Sequence, residues 1–217
     1  MTDLAPAARA ELIRLWDGAQ DAAHDLGHID RVWANAKAIM GDEPRVDAQA
    51  LQMAVIFHDA VNLAKDAPDR AMASTLSARA AGDWLAGQGW GADRIALVVH
   101  AIEAHSFSAA IAPRTAEARV LQDADRLEAL GAIGLARMFA VTGAMGGTLF
   151  HATDPLGQHR PLDDRAFALD HLEVKLFGLA QTMQTPTGRA MAEERSEWMF
   201  SFRARLLREI GGATTFF

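Results

Sequence analysis

Apolar residues return every three or four positions along nearly the whole chain, and nowhere do they alternate with polar residues for long enough to line one face of a strand. That spacing matches the turn of an α-helix and predicts an all-α fold. Helices are expected near 6–23, 28–40, 47–62, 68–87, 92–105, 115–126, 127–142, 163–178 and 186–210. The punctuation agrees. Pro6, Pro68 and Pro186 sit where a first turn tolerates a missing backbone donor, Asp47 suits an N-cap, and Gly41 and Gly178 suit helix ends. One long irregular stretch runs from Gly143 to about Leu162 and carries His151, His159 and Arg160 among its glycines and prolines. A connection of that length is either a functional lid or a tolerated surface loop. Gly211–Phe217 reads as a tail.

The chain has 217 residues, half of them hydrophobic, enough to bury one ample core or two closely packed lobes. No linker, repeat or low-complexity tract divides it, so a single domain is expected. A formal net charge of −7 excludes broad binding to nucleic acid or an anionic membrane. A phosphate ligand would need local positive charge, which a metal ion supplies. Cysteine is absent, which removes disulfides, thiolate metal sites and cysteine nucleophiles, and fits a reducing cytoplasm. Met1–Arg14 lacks the apolar run of a signal peptide, and no apolar stretch approaches a membrane span. A soluble, cytoplasmic protein is expected.

His58 and Asp59 are adjacent within the apolar segment Leu51–Ala60. On a helix, Leu51, Val55 and His58 share a face, which turns His58 inward and leaves an ionised Asp59 costly unless it is paired. A divalent cation satisfies both side chains, since imidazole nitrogen and carboxylate oxygen are good ligands for a borderline or hard metal. Further ligands of the same chemical type stand at His28, which opens the next helix upstream, and at Asp125, which ends Val120–Asp125. Two imidazoles and two carboxylates from three helices leave room in an octahedral shell for water and a phosphate oxygen. A blander account also fits the spacing: a hydrogen-bonded core histidine, an Asp125–Arg126 ion pair, and Asp123 as a solvated acid or helix-end cap.

In order, His28, His58-Asp59 and Asp125 resemble the H…HD…D pattern of the HD superfamily. Residues 24–32 (HDLGHIDRV), 57–59 (FHD), 105–107 (HSF) and 122–131 (QDADRLEALG) look like the small single-domain bacterial HD hydrolases of the YedJ type, as do 158–164 (QHRPLDD) and 181–185 (QTMQT). This resemblance covers nearly the whole chain. It implies a compact multi-helix HD-domain fold over 1–217, with the HD core at about 20–130 and a C-terminal helical part at about 131–210. It also implies metal-dependent cleavage of phosphate esters or anhydrides, since similar small HD proteins include a manganese-dependent nucleotide pyrophosphatase and deoxynucleotide hydrolases. The expected cofactor is a divalent metal, Mn²⁺ foremost, with Mg²⁺, Co²⁺, Ni²⁺ and Fe²⁺ as alternatives.

The expected activity is a nucleoside triphosphate or deoxynucleotide pyrophosphohydrolase that releases pyrophosphate. Its rivals are a nucleoside monophosphatase, an alarmone hydrolase and, from another class, a noncatalytic nucleotide-binding HD module that reports through the 143–162 loop. Asn62 motivates the last, because several HD phosphohydrolases carry a catalytic carboxylate shortly after the His-Asp pair and here Asp66 is the next acid. A two-metal helical oxygenase is weaker, for want of carboxylates. Asp59 could orient or deprotonate a water. Lys65 is assigned a catalytic and phosphate-binding part, with His100, His105, Arg126, Arg160 and Lys175 as further substrate contacts; a solvated lysine is the plain alternative for Lys65. His100 and His105, five apart, do not share a helix face, so one of them is structural or, as in binuclear relatives, serves a second metal. His24, Asp25 and Arg31 are expected to cap the helix and orient His28. His171 and Lys175 share a helix face that is either phosphate-facing or simply exposed. Trp33, Trp84, Trp90 and Trp198 read as packing residues.

Overall fold

The computed structural model describes residues 3–16, 25–63 and 69–211. Among the described residues it has nine α-helices: α1 (Ala5–Trp16), α2 (Leu26–Met40), α3 (Ala48–Phe57), α4 (Ala73–Gly87), α5 (Ala92–His105), α6 (Ala116–Arg126), α7 (Gly131–Ala144), α8 (Asp170–Val174) and α9 (Pro186–Glu209). Three 3-10 segments, Arg70–Met72, Leu127–Ala129 and Leu176–Thr182, join them. The described residues form no strand, only an isolated parallel bridge between Thr148 and Phe167. The fold is all-α, as the spacing predicts. No single helix among these residues is long and apolar enough to cross a membrane. The chain divides into two compact units, Met1–Asp125 and Arg126–Phe217.

The first unit is built around α3. Ala50, Leu51, Met53, Ala54, Val55, Ile56 and Phe57 are all buried, so this helix is apolar on every side and must be covered on every side. Helices α1, α2, α4 and α5 pack against it. The Asp47 side chain caps α3 by accepting from the N–H groups of Gln49 and Ala50. Helix 47–62 of the sequence reading ends early, at Phe57. Past it, the Ala60 N–H donates to the Phe57 carbonyl, and the Val61 N–H donates to Ser77 Oγ on α4, so the backbone groups are satisfied without another helical turn.

In the second unit, α9 begins at Pro186 behind a Thr185 cap and packs against α7 and the 3-10 segment at 176–182. The expected helix 127–142 is broken near its start, where Leu130 is extended and Gly131 takes φ 69°. Three residues on, a Cβ at position 134 would stand 2.1 Å from the Ala129 carbonyl oxygen, so only glycine fits. The expected helix 163–178 shrinks to α8 and a 3-10 turn, because the residues before it are bound elsewhere. The Thr148 N–H donates to Ala166 O, and the N–H groups of Ala168 and Leu169 donate to the carbonyls of Thr148 and Leu149. Gly178 consequently lies inside a 3-10 segment and ends no α-helix.

The same bonds strap down the 143–162 stretch. Asp154 accepts from the N–H groups of Gln158 and His159, and the Arg160 guanidinium spans both carboxylate oxygens of the fully buried Asp170 at 2.6 and 2.7 Å. Two smaller expectations are corrected by burial. Asp123 is buried, not solvated, and Trp198 is 47% exposed, not a core residue.

Candidate metal centre

The local sequence places each imidazole at a helix terminus. Asp25 is the N-cap of α2 and accepts from the His28 N–H at 2.7 Å, which sets His28 in the first turn. A Cβ at Gly27 would stand 3.1 Å from Arg31 Nη1 and 3.2 Å from Asp25 Oδ1, so glycine leaves room for both groups beside the His28 backbone. His58 is the C-cap of α3 with Asp59 next in the chain, His105 is the last residue of α5, and Asp125 is the penultimate residue of α6.

These five side chains converge. His28 Nε2 lies 3.2 Å from His58 Nε2, 3.7 Å from Asp59 Oδ2 and 3.5 Å from Asp125 Oδ1. His58 Nε2 lies 3.3 Å from Asp59 Oδ2 and 3.8 Å from Asp125 Oδ1. The other Asp59 oxygen, Oδ1, is 3.7 Å from His105 Nε2. A metal at its ordinary distance from nitrogen and oxygen ligands holds neighbouring donors roughly 3.0–3.4 Å apart, so a slight contraction of this set would close around an ion. His28, His58 and Asp125 form one group able to hold a metal, and His58, Asp59 and His105 form another.

Backbone carbonyls fix the histidine tautomers. A carbonyl only accepts, so His58 Nδ1 donates to Val55 O at 2.8 Å and His105 Nδ1 donates to Ile102 O at 2.6 Å. Each ring is thereby left with Nε2 facing the cluster, the arrangement of a metal-ligating histidine with its other nitrogen anchored. The imidazoles of His28 and His58 are essentially inaccessible, whereas the Asp59 and Asp125 side chains keep 23% and 29% of their exposure. The centre therefore opens to solvent on its carboxylate side.

Electrostatics match this donor set. Burial alone would depress the basicity of His58, but the neighbouring Asp59 and Asp125 carboxylates and the bond to Val55 outweigh it and raise its pKa to about 9. Burial would raise both carboxyls, yet the His58 and His105 imidazoles hold Asp59 well below the usual range, and His58, His28 and His105 lower Asp125. In the metal-free protein a proton takes the place a cation would occupy.

The far ends of the three helices show why the near ends meet. At the start of α3, Asp47 receives two 2.7 Å bonds from Arg94, in the first turn of α5, and its N–H donates to Glu117, in the first turn of α6. Helices α3, α5 and α6 thus run in the same direction from a shared polar knot, and all three C-terminal ends point into the centre. Each C-terminal end carries a partial negative charge, which favours a cation there.

Four residues support the site without having been assigned a role from the sequence, although Gln122 belongs to the 122–131 segment that carries the resemblance. Trp16 Nε1 donates to the Asp59 carbonyl at 3.0 Å, Asn35 Nδ2 to the Ala124 carbonyl at 3.1 Å, Gln122 Nε2 to the Ala104 carbonyl at 2.7 Å, and Ser77 Oγ receives the Val61 N–H. Asn35 was detectable as a polar residue on the inward stripe of Val32, Ala36 and Ile39. Trp16 was not, because its partner is 43 positions away.

The remaining candidates fall elsewhere. His24 and Lys65, and with them Asp66, lie outside the described residues. Asn62 is exposed. His100 Nε2 accepts from the Arg114 N–H at 2.9 Å, so of the two α5 histidines it is His105 that joins the centre. In the second unit, Arg126 donates to the Thr182 carbonyl, Arg160 is engaged by Asp170, His171 Nδ1 meets Asp164 Oδ2 at 2.8 Å, and Lys175 is exposed just past α8. Lys175 is the C-cap of α8, and its N–H donates to the His171 carbonyl one turn earlier.

Comparison with known proteins identifies the family. The HD domain family model matches residues 24–130. The YpgQ protein of Bacillus subtilis (strain 168) is 32% identical over 212 residues, which cover 94% of this chain and 95% of YpgQ. The crystal structure of Bacillus subtilis YpgQ in complex with ADP is similar at a TM-score of 0.72 and 31% identity, covering 96% of this chain and 95% of that one. An HD-superfamily hydrolase from Bacillus thuringiensis is similar at a TM-score of 0.73 and 28% identity, covering 97% of each chain.

Proposed function

The chain belongs to the HD-domain superfamily of hydrolases, and from that premise we propose that it is a divalent-metal-dependent phosphohydrolase that cleaves a nucleoside triphosphate or deoxynucleotide and releases pyrophosphate. The observation that carries the reading is the set of Nε2 and carboxylate atoms of His28, His58, Asp59 and Asp125, with His–His and His–Asp separations of 3.2 to 3.8 Å, gathered from two helix C-termini and one N-terminus. The similarity to a protein crystallised with ADP supports a nucleotide as the ligand. Mn²⁺ suits the mixed nitrogen and oxygen donors.

When bound, the metal supplies a Lewis acid for a phosphoryl oxygen and lowers the pKa of water. The protein's own groups supply the rest. His28 and His58 present Nε2 from a buried wall, and Asp59 and Asp125 offset positive charge on the open side. Asp59 Oδ1, directed toward His105 Nε2 and away from the other ligands, is the atom placed to take a proton from an attacking water. Lys65 remains the proposed phosphate contact. Arg160 is a weak candidate, since freeing it would leave Asp170 buried and unpaired. A cytoplasmic setting fits a nucleotide substrate and a chain without cysteine.

The test is metal analysis of the purified protein, then a nucleotide screen with Mn²⁺, Co²⁺, Ni²⁺, Fe²⁺ or Mg²⁺ and identification of each product. Pyrophosphate release is expected. Orthophosphate from monophosphates would make it a nucleotidase, and selective loss of a 3′-pyrophosphate an alarmone hydrolase. Stoichiometric binding without turnover under every metal would replace the enzyme with a nucleotide-binding module.

A further inference from the structure

We infer that Phe107 is a stacking platform for the base of the bound nucleotide, an assignment that rests on the nucleotide reading above and adds where the nucleoside end of the substrate sits. Phe107 stands two residues beyond His105, whose Nε2 faces Asp59 at 3.7 Å. Its side chain is 73% exposed, the most open of the large exposed apolar residues among those described. A single exposed aromatic is ordinary on a protein surface. One held on a shaped turn two residues past a side chain of the centre is in a different position.

Two observations show that the turn has a defined shape. The Ala110 N–H returns to the Phe107 carbonyl at 3.3 Å, with Ala110 at φ 53°, a left-handed conformation that a side chain resists unless its surroundings hold it there. Farther along, the Arg114 N–H is bound by His100 Nε2, so the 106–114 loop is fastened to α5 at both ends: by continuity after His105, and by this bond one and a half turns earlier on the same helix. The chain cannot stray more than about 7 Å between Cα105 and Cα107. In a nucleotide, one sugar separates the phosphate chain from the base, and Phe107 follows His105 of the centre by two residues of chain. A flat apolar ring offers its face to any base, which predicts tolerance of base identity and no use for a substrate lacking a base.

The experiment compares wild type with Phe107→Ala and Phe107→Trp, using steady-state kinetics on ATP and on inorganic tripolyphosphate with saturating Mn²⁺, and calorimetric titration with ADP. Phe107→Ala is expected to raise KM for ATP and Kd for ADP roughly tenfold while the constants for tripolyphosphate move far less, and Phe107→Trp to restore nucleotide affinity. Equal effects on ATP and tripolyphosphate, unchanged ADP affinity in Phe107→Ala, or a wild type that does not bind ADP would each overturn the platform. ADP binding that depends on Phe107 in a protein without turnover would keep the platform and overturn the phosphohydrolase reading alone.

Discussion

His28 Nε2 and His58 Nε2 face each other 3.2 Å apart in a fully buried wall, and the Val55 carbonyl already occupies the other nitrogen of His58. Two imidazole lone pairs cannot share that space unless a proton or a cation lies between them. The pair therefore holds either a shared proton or a metal ion, and which one it holds depends on pH and metal.

His58→Ala is expected to abolish bound metal and hydrolysis while circular dichroism retains the helical signal, because the residue caps α3 and does not fill its interior. Asp125→Asn, which keeps one oxygen donor, should retain weak metal binding. Inductively coupled plasma analysis alongside turnover checks both; metal-dependent turnover in His58→Ala would remove it from the ligand set.

Metal binding should release protons below pH 9. With its folded pKa raised to about 9, His58 in the metal-free protein contributes stability that is fully present below its ordinary 6.5 and is lost as pH rises through 9. An incoming metal must displace that proton. Calorimetry of Mn²⁺ binding at pH 7.5 in buffers of different ionisation enthalpy should give a heat that varies with the buffer; a buffer-independent heat would mean that His58 is already neutral.

Trp16→Phe removes one hydrogen bond to the Asp59 carbonyl and little else, since the ring is retained. Partners of metal ligands commonly carry tenfold to hundredfold effects, so metal affinity should fall about tenfold with a small change in melting temperature. A fall in melting temperature with unchanged affinity would make Trp16 a packing residue only.

Asp47→Ala deletes an α3 cap and the Arg94 partner together, and is expected to cost about 2 kcal/mol. The Arg94 guanidinium holds the Asp47 carboxyl below its usual 3.8, so this stability is present above that value and is lost as pH falls through the lowered pKa. Urea unfolding of wild type and Asp47→Asn should therefore differ most near neutrality and converge in acid. Because the knot sets three helices in register, looser metal binding should accompany the loss.

Arg160→Met should lower the melting temperature more than loss of an exposed arginine such as Arg205, because it strands a buried carboxylate on Asp170. Kinetics of the folded fraction are expected to be unchanged. A normal melting temperature with a raised KM would return Arg160 to the phosphate site.

The sequence by itself was enough to predict the helical class, the Asp47 cap and His28, His58, Asp59 and Asp125 as candidate ligands, because periodicity, capping and ligand chemistry are local properties written in residue type and spacing. It misjudged segments whose backbone bonds are made at a distance: α3 stops at Phe57 because Ser77 takes the next N–H, and 163–169 is not helical because it is bound to 148–149. It did not distinguish His105 from His100, since both lie on one helix and only the folded unit shows which nitrogen meets Asp59 and which meets Arg114. The Trp16 bond, the knot at Asp47 and the convergence of three helix C-termini were decided by tertiary structure alone. Each joins groups 20 or more positions apart through a geometry that no single segment contains.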